Sequence, residues 1–248
     1  MKLLRLVVAG LIGSVLFASC NKDDSPAPYG KVTVSFANEV AGQPLVLGPM
    51  SYTNAAGNTY SVDMLKYYVS NFRLVKADGT EQPFTNYELI DASKPETLSF
   101  SLDSVINGEF TSLKFMLGID SSRNHTGAQD GDLDPVHGMI WTWSTGYIFF
   151  KHEGSFRDST GATRQLAFHL GTDNALTSIT VPIPKLSVAG DKRKLYLNFD
   201  LNRAYNSSAG NMDFNFDNNR MSSGRDDIFW VYAMTANLGA AFHCNKAE

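Results

Sequence analysis

The chain has 248 residues, 43% of them hydrophobic, with 21 basic side chains against 25 acidic ones and a formal charge of −4. No basic stripe breaks that balance, and phosphate neutralisation needs clustered Lys and Arg, which argues against nucleic acid as a partner. The length suffices for a core and fits one large β domain as readily as two small ones, and only two cysteines, Cys20 and Cys244, are present.

In chain order, Lys2 and Arg5 precede an apolar run from Leu6 to Phe17 and the small residues Ala18 and Ser19, the pattern of a secretory signal over residues 1–19. The run is shorter than the roughly twenty residues that a membrane span needs. Cys20 directly after Phe-Ala-Ser resembles the bacterial lipobox, in which the cysteine becomes the lipidated first residue; Phe17 departs from the usual aliphatic choice. Cys20-Asn-Lys-Asp-Asp24 resembles the acidic export tag of Bacteroidota surface lipoproteins. The expectation is an outer-membrane lipoprotein of the cell envelope, periplasmic or surface-exposed, that meets the membrane through its anchor at Cys20. Removal of residues 1–19 takes Lys2 and Arg5 and leaves 19 − 25 = −6. Lipid on Cys20 also leaves Cys244 without an intrachain disulfide partner, so the fold must rest on its core.

Residues 20–30 are rich in Asp, Ser, Pro and Gly and read as a tether. From residue 31 to 248, short runs of period-two alternation recur, and the spacing predicts strands at 31–36, 60–66, 68–76, 87–91, 96–102, 112–118, 139–143, 147–153, 164–170, 178–183 and 194–200. Helical periodicity competes only at 202–209 and in the last thirty residues. The fold class that follows is all-β, an antiparallel β-sandwich in a single domain with long loops and little helix. The stretch from Asp120 to Gly138 is the longest without a strand pattern, and loops of that length in compact domains are more often functional or ion-bound than idle.

That loop leads into His137, Met139, Trp141 and Trp143, which on an extended strand would share one face. Such a face is either core with a histidine at its solvent end, or a soft metal site in which imidazole and thioether suit copper and an indole contacts the cation. His169 sits on the face of its strand opposite Leu166, Phe168 and Leu170, a polar or cleft-facing side. Asp130-Gly-Asp132-Leu-Asp134 alternates oxygen ligands of the kind Ca²⁺ takes, although Pro135 and His137 stand where the helix-loop-helix calcium template needs other residues. His243-Cys244 is a minor metal candidate. Asp63, Glu88, Asp91 and Glu153 are scattered carboxylates without pairing, and no nucleophile elbow, zinc-protease helix or phosphate loop occurs, so no catalysis is expected.

One ordered set of motifs spans nearly all of residues 31–248: Phe36 to Gly42 with Pro44-Leu45, Leu65 to Leu74, Leu89-Ile-Asp91, Leu117-Gly-Ile-Asp120 with Asn124, Asp134-Pro135, Gly138-Met-Ile-Trp-Thr-Trp143, Gly146-Tyr-Ile-Phe149, and Phe168-His-Leu-Gly171. The set resembles the MbnP-like copper-binding family. The resemblance implies a β-sandwich envelope protein that binds copper, in some members after a tryptophan is oxidised to kynurenine by a partner di-haem enzyme of the cytochrome c peroxidase type. Carried over, it makes His169 a metal ligand and Trp141 or Trp143 the oxidation site; His137 and Met139 rest on local chemistry alone. The alternative is a surface lipoprotein that binds a glycan or a protein through exposed aromatics.

Overall fold

The alternation read in the sequence becomes two large sheets around one continuous hydrophobic cluster. The computed structural model describes residues 28–142, 146–207, 210–222 and 228–248; the anchor residue Cys20 and Trp143 lie outside them. The smaller sheet runs Phe242–Ala247, Lys192–Asp200, Tyr29–Val40, with Gln43–Pro44 and Ser99–Ile106 on the far edge of Tyr29–Val40. The larger runs Thr177–Val188, Gly108–Leu117, Met64–Val75, Ile148–Arg157, Thr163–Gly171, Asn219–Ser222. Most pairs are antiparallel; Tyr29–Val40 with Lys192–Asp200 and Thr163–Gly171 with Asn219–Ser222 are parallel. The expected all-β architecture is thus present.

Period two explains which side each strand buries. Val32, Val34 and Phe36 face inward against Leu195, Leu197 and Phe199 of the neighbouring strand. Across the core, Phe36, Phe72, Phe115 and Phe242 meet at centroid separations of 4.9 to 6.4 Å, mostly edge to face, the geometry that ring quadrupoles favour.

Three expectations about elements need correction. The runs at 60–66 and 68–76 are largely one strand, Met64–Val75. Tyr67 and Tyr68 are both fully buried and so break the alternation, because this stretch is covered on both faces: Tyr67 packs on Phe199 in the core, while Tyr68 donates to the Asp132 carbonyl on the other side. The last thirty residues hold the helix Ile228–Gly239 and then a strand, Phe242–Ala247, whose polar six residues carry too weak a pattern to be read. Where helical periodicity competes at 202–209, the described residues 202–207 are not an α-helix: a 3-10 turn, Leu201–Tyr205, follows the Asp200 cap and gives way to a two-residue strand.

The 120–138 loop is a packed cover over the outward face of Met64–Val75 and Ile148–Arg157. Asn124 is buried, accepts from Tyr147 N at 2.8 Å and donates to Asp173 at 3.0 Å. Tyr147 Oη donates to the Leu133 carbonyl at 2.9 Å. Lys66 reaches the His137 carbonyl at 3.1 Å while paired with Asp91 at 3.1 Å. Gly118, at φ +109°, begins this cover, and a Cβ there would meet the Phe149 ring at 2.4 Å.

Candidate metal centre

His169 belongs to Thr163–Gly171, whose inward residues Leu166, Phe168 and Leu170 fill the core. Its own side, with Ala167 and Gly171, carries the polar residues of the adjoining strand: Lys151 is the direct partner of His169, and Glu153 of Ala167. His169 Nε2 lies 2.8 Å from Glu153 Oε1, and Lys151 Nζ holds the same carboxylate oxygen at 3.3 Å and the Gly138 carbonyl at 3.4 Å. Burial pushes the Glu153 carboxyl up, yet Lys151 and His169 together hold it below the usual carboxylate range, so it is ionised and can only accept. Burial also lowers the His169 imidazole, outweighing the attraction of Glu153, so the ring is neutral at neutral pH.

These facts fix the tautomer. An ionised carboxylate at Nε2 requires the proton there, and a neutral ring then carries its lone pair on Nδ1. His169 is only 7% exposed, and Nδ1 is buried with no hydrogen-bond partner. A buried imidazole lone pair without a donor is costly, whereas carboxylate, histidine and metal in series is the arrangement in which the carboxylate orients the ring and raises its basicity as a ligand.

Trp141 completes the pocket. Its indole centroid lies 6.3 Å from the imidazole, tilted by 53°. Gly171 explains how it fits: a Cβ there would stand 2.8 Å from Trp141 Nε1 and 2.6 Å from the Tyr147 carbonyl. In Phe168-His-Leu-Gly171 the residues two apart share a face, so the missing side chain at 171 makes room for an indole beside the imidazole at 169.

His137 does not join Met139 and Trp141 on one face; Trp143, the fourth residue of the expected face, lies outside the described residues. Pro135–His137 is a 3-10 turn capped by Asp134 and ended by Gly138 at φ +69°, which breaks the extended chain before Met139. His137 is consequently only half-buried, with Nε2 on the Gly131 carbonyl at 3.1 Å. Beyond the turn, Ile140 and Tyr147 form an isolated bridge, with Trp141 N on the Gly146 carbonyl and Ile148 N on the Met139 carbonyl, so residues 139–142 do not form the expected strand. Met139 and Trp141 still alternate inward, at 1% and 5% exposure. A ring that buried is no stacking platform, which removes Trp141 from the glycan alternative.

Two carboxylates of the acidic turn serve the backbone: Asp132 accepts from Leu89 N at 2.7 Å and Asp134 from Val136 N at 2.8 Å. Among the described residues no three His, Cys, Asp or Glu side chains gather where a metal ion could be held, which leaves the Ca²⁺ reading without a ligand set. Copper is less demanding on this point, because thioether and indole are not among those residue types. His243 and Cys244 alternate along Phe242–Ala247 and so point to opposite faces; His243 pairs with Glu39 at 3.5 Å.

Glu153 and Lys151 are not recognisable as site residues from composition or motif, and Gly171 stands in the Phe168-His-Leu-Gly171 motif without its role being visible there. A signal existed for Lys151: the turn around residue 160 sets the hairpin register, and 160 − 151 = 169 − 160 = 9 places it opposite His169.

Among solved structures, MbnP from Methylosinus trichosporium matches with a TM-score of 0.51 and 16% identity, over 73% of this chain and 82% of that one, a likeness of fold. No curated protein matches. The MbnP family model matches residues 29–222, from the first strand to the edge strand beside His169; the helix and final strand beyond it complete the same core. The chain belongs to the MbnP family.

Proposed function

We propose that this protein is a copper-binding protein of the cell envelope, held to the outer membrane by lipid on Cys20, and that copper is held by His169 beside Trp141. The observation that carries the reading is the buried, unpartnered Nδ1 of His169, on a ring whose other nitrogen is fixed by Glu153. When bound, copper supplies a soft cation that imidazole and thioether satisfy better than hard oxygen ligands do. Glu153 holds the imidazole proton at Nε2, Lys151 keeps Glu153 ionised, and Gly171 admits the indole. Oxidation of Trp141 or Trp143 to kynurenine by a di-haem partner enzyme belongs to this proposal and would be read as a tryptic peptide that exchanges one carbon for one oxygen. The chain's own role is binding rather than turnover.

The test is titration of the purified protein with Cu(I) and Cu(II), wild type against His169→Ala. Stoichiometric binding that falls by more than about 100-fold in the variant is expected, since the one imidazole is lost outright. Undiminished binding in His169→Ala would reject the site.

A further inference from the structure

Resting on that reading, we propose that Met221 is a second, soft copper ligand on the open side of the site, placed where an ion arrives. Thr163–Gly171 pairs in parallel with Asn219–Ser222, and the register sets His169 against Met221 and Ala167 against Asn219. Residues paired across neighbouring strands stand on the same face about 5 Å apart, within reach of a flexible thioether. Met221 is therefore the side chain next to His169 on the edge side, as Lys151 is on the other.

Its surroundings point the same way. Among the described residues Met221 is the one methionine counted with the exposed large hydrophobics, at 36% exposure, whereas Met139, Met212 and Met234 are buried. A straight thioether chain is neither a strong strand former nor a polar guard for a sheet edge, where charged residues or proline are the usual choice. It lines an open groove of about 770 Å³ together with Ala167, Asn219, Gln165 and Phe216, so on the strand of His169 the groove reaches Ala167, two residues away on the same face. Nothing else lining it is a soft donor. Thioether sulfur favours Cu(I) over Zn²⁺ or Ca²⁺, which gives this ligand a selecting role as well as a holding one.

The competing thioether is Met139, buried beneath the cover at 1% exposure. X-ray absorption of the Cu(I)-loaded full chain, with Cu(I) affinity measured against a coloured chelator, separates the cases. The expected result is a sulfur shell around copper that disappears in Met221→Leu and persists in Met139→Leu. Affinity should fall about tenfold in Met221→Leu, the size usual for losing one supporting partner of a metal site, with the urea midpoint unchanged. Loss of binding in His169→Ala alongside an intact sulfur shell in Met221→Leu would overturn this inference and leave the copper site standing. So would a wild-type protein that binds copper with no sulfur shell. Full binding in His169→Ala would instead remove the reading on which it rests.

Discussion

His152 and His169 lie on neighbouring strands of one sheet, a strand position apart, and face opposite ways. Both rings are kept neutral by burial. His152, in the core among Tyr60, Phe168 and Tyr205, uses both nitrogens: Nε2 donates to the Ser61 carbonyl at 3.4 Å, and Nδ1 accepts from Tyr205 Oη. His169 uses only Nε2. Burial therefore does not separate a structural histidine from a ligand. What separates them is whether the second nitrogen has a partner within the protein, because a neutral ring offers one donor and one acceptor and the fold must satisfy both or leave one for something else.

The largest effects should cross between the two. His152→Ala opens a cavity in the aromatic core and leaves Tyr205 Oη unpaired, and we expect a loss of about 3 to 4 kcal/mol in urea unfolding. His169→Ala removes a ring whose one hydrogen bond goes to Glu153, a carboxylate open enough for water and Lys151 to satisfy, so its cost to stability should be smaller, about 1 to 2 kcal/mol, while copper binding collapses. Equal destabilisation by the two changes would mean that His169 is structural after all.

Acid should expose the same contrast. The His152 imidazole is pushed down to about 4 from its ordinary 6.5 by burial, against the opposing pull of the Ser61 carbonyl. Because the native state binds the proton less readily than the unfolded chain, stability rises with pH through this window. Its contribution is intact at neutral pH, drains as pH falls from about 6.5 to about 4 by roughly 3 kcal/mol, and changes no further below that. His169 adds a smaller loss of the same sign. Urea unfolding at several pH values should show this slope, and His152→Gln should remove most of it. A slope unchanged in that variant would place the acid sensitivity elsewhere.

The fold was legible because most strands here bury one face, and such strands alternate. It failed where that premise fails: Tyr67 and Tyr68 are both covered, so one strand read as two. In the site, His169 and Trp141 could be named from motifs, since a histidine and a glycine two apart on a strand have a shared face whatever the fold does next. Trp143 was named by the same means and lies outside the described residues. The stripe expected from His137 onward fails at its first member, because Pro135 and Gly138, both turn formers visible in the sequence, end the extended chain before Met139. Glu153 and Met221 depend on register between strands, and for Met221 on a parallel pairing across a long connection, which no local pattern encodes.

The smallest expected effect tests the tautomer itself. Glu153→Gln keeps the side-chain volume and a hydrogen-bonding partner for Nε2, so the fold should hold, although Lys151 loses its counter-charge. A carboxylate can only accept, which confines the imidazole proton to Nε2; an amide can also turn its NH2 toward the ring, letting the proton move to Nδ1 and blocking the lone pair that the proposed site would offer a metal. Copper affinity should then fall about tenfold, in line with losing an orienting partner. Nitrogen-15 spectra of His169 should show a mixture of tautomers where the wild type shows one. An unchanged spectrum with unchanged affinity would mean that something other than Glu153 sets the ring, and the contrast with His152 would lose its basis.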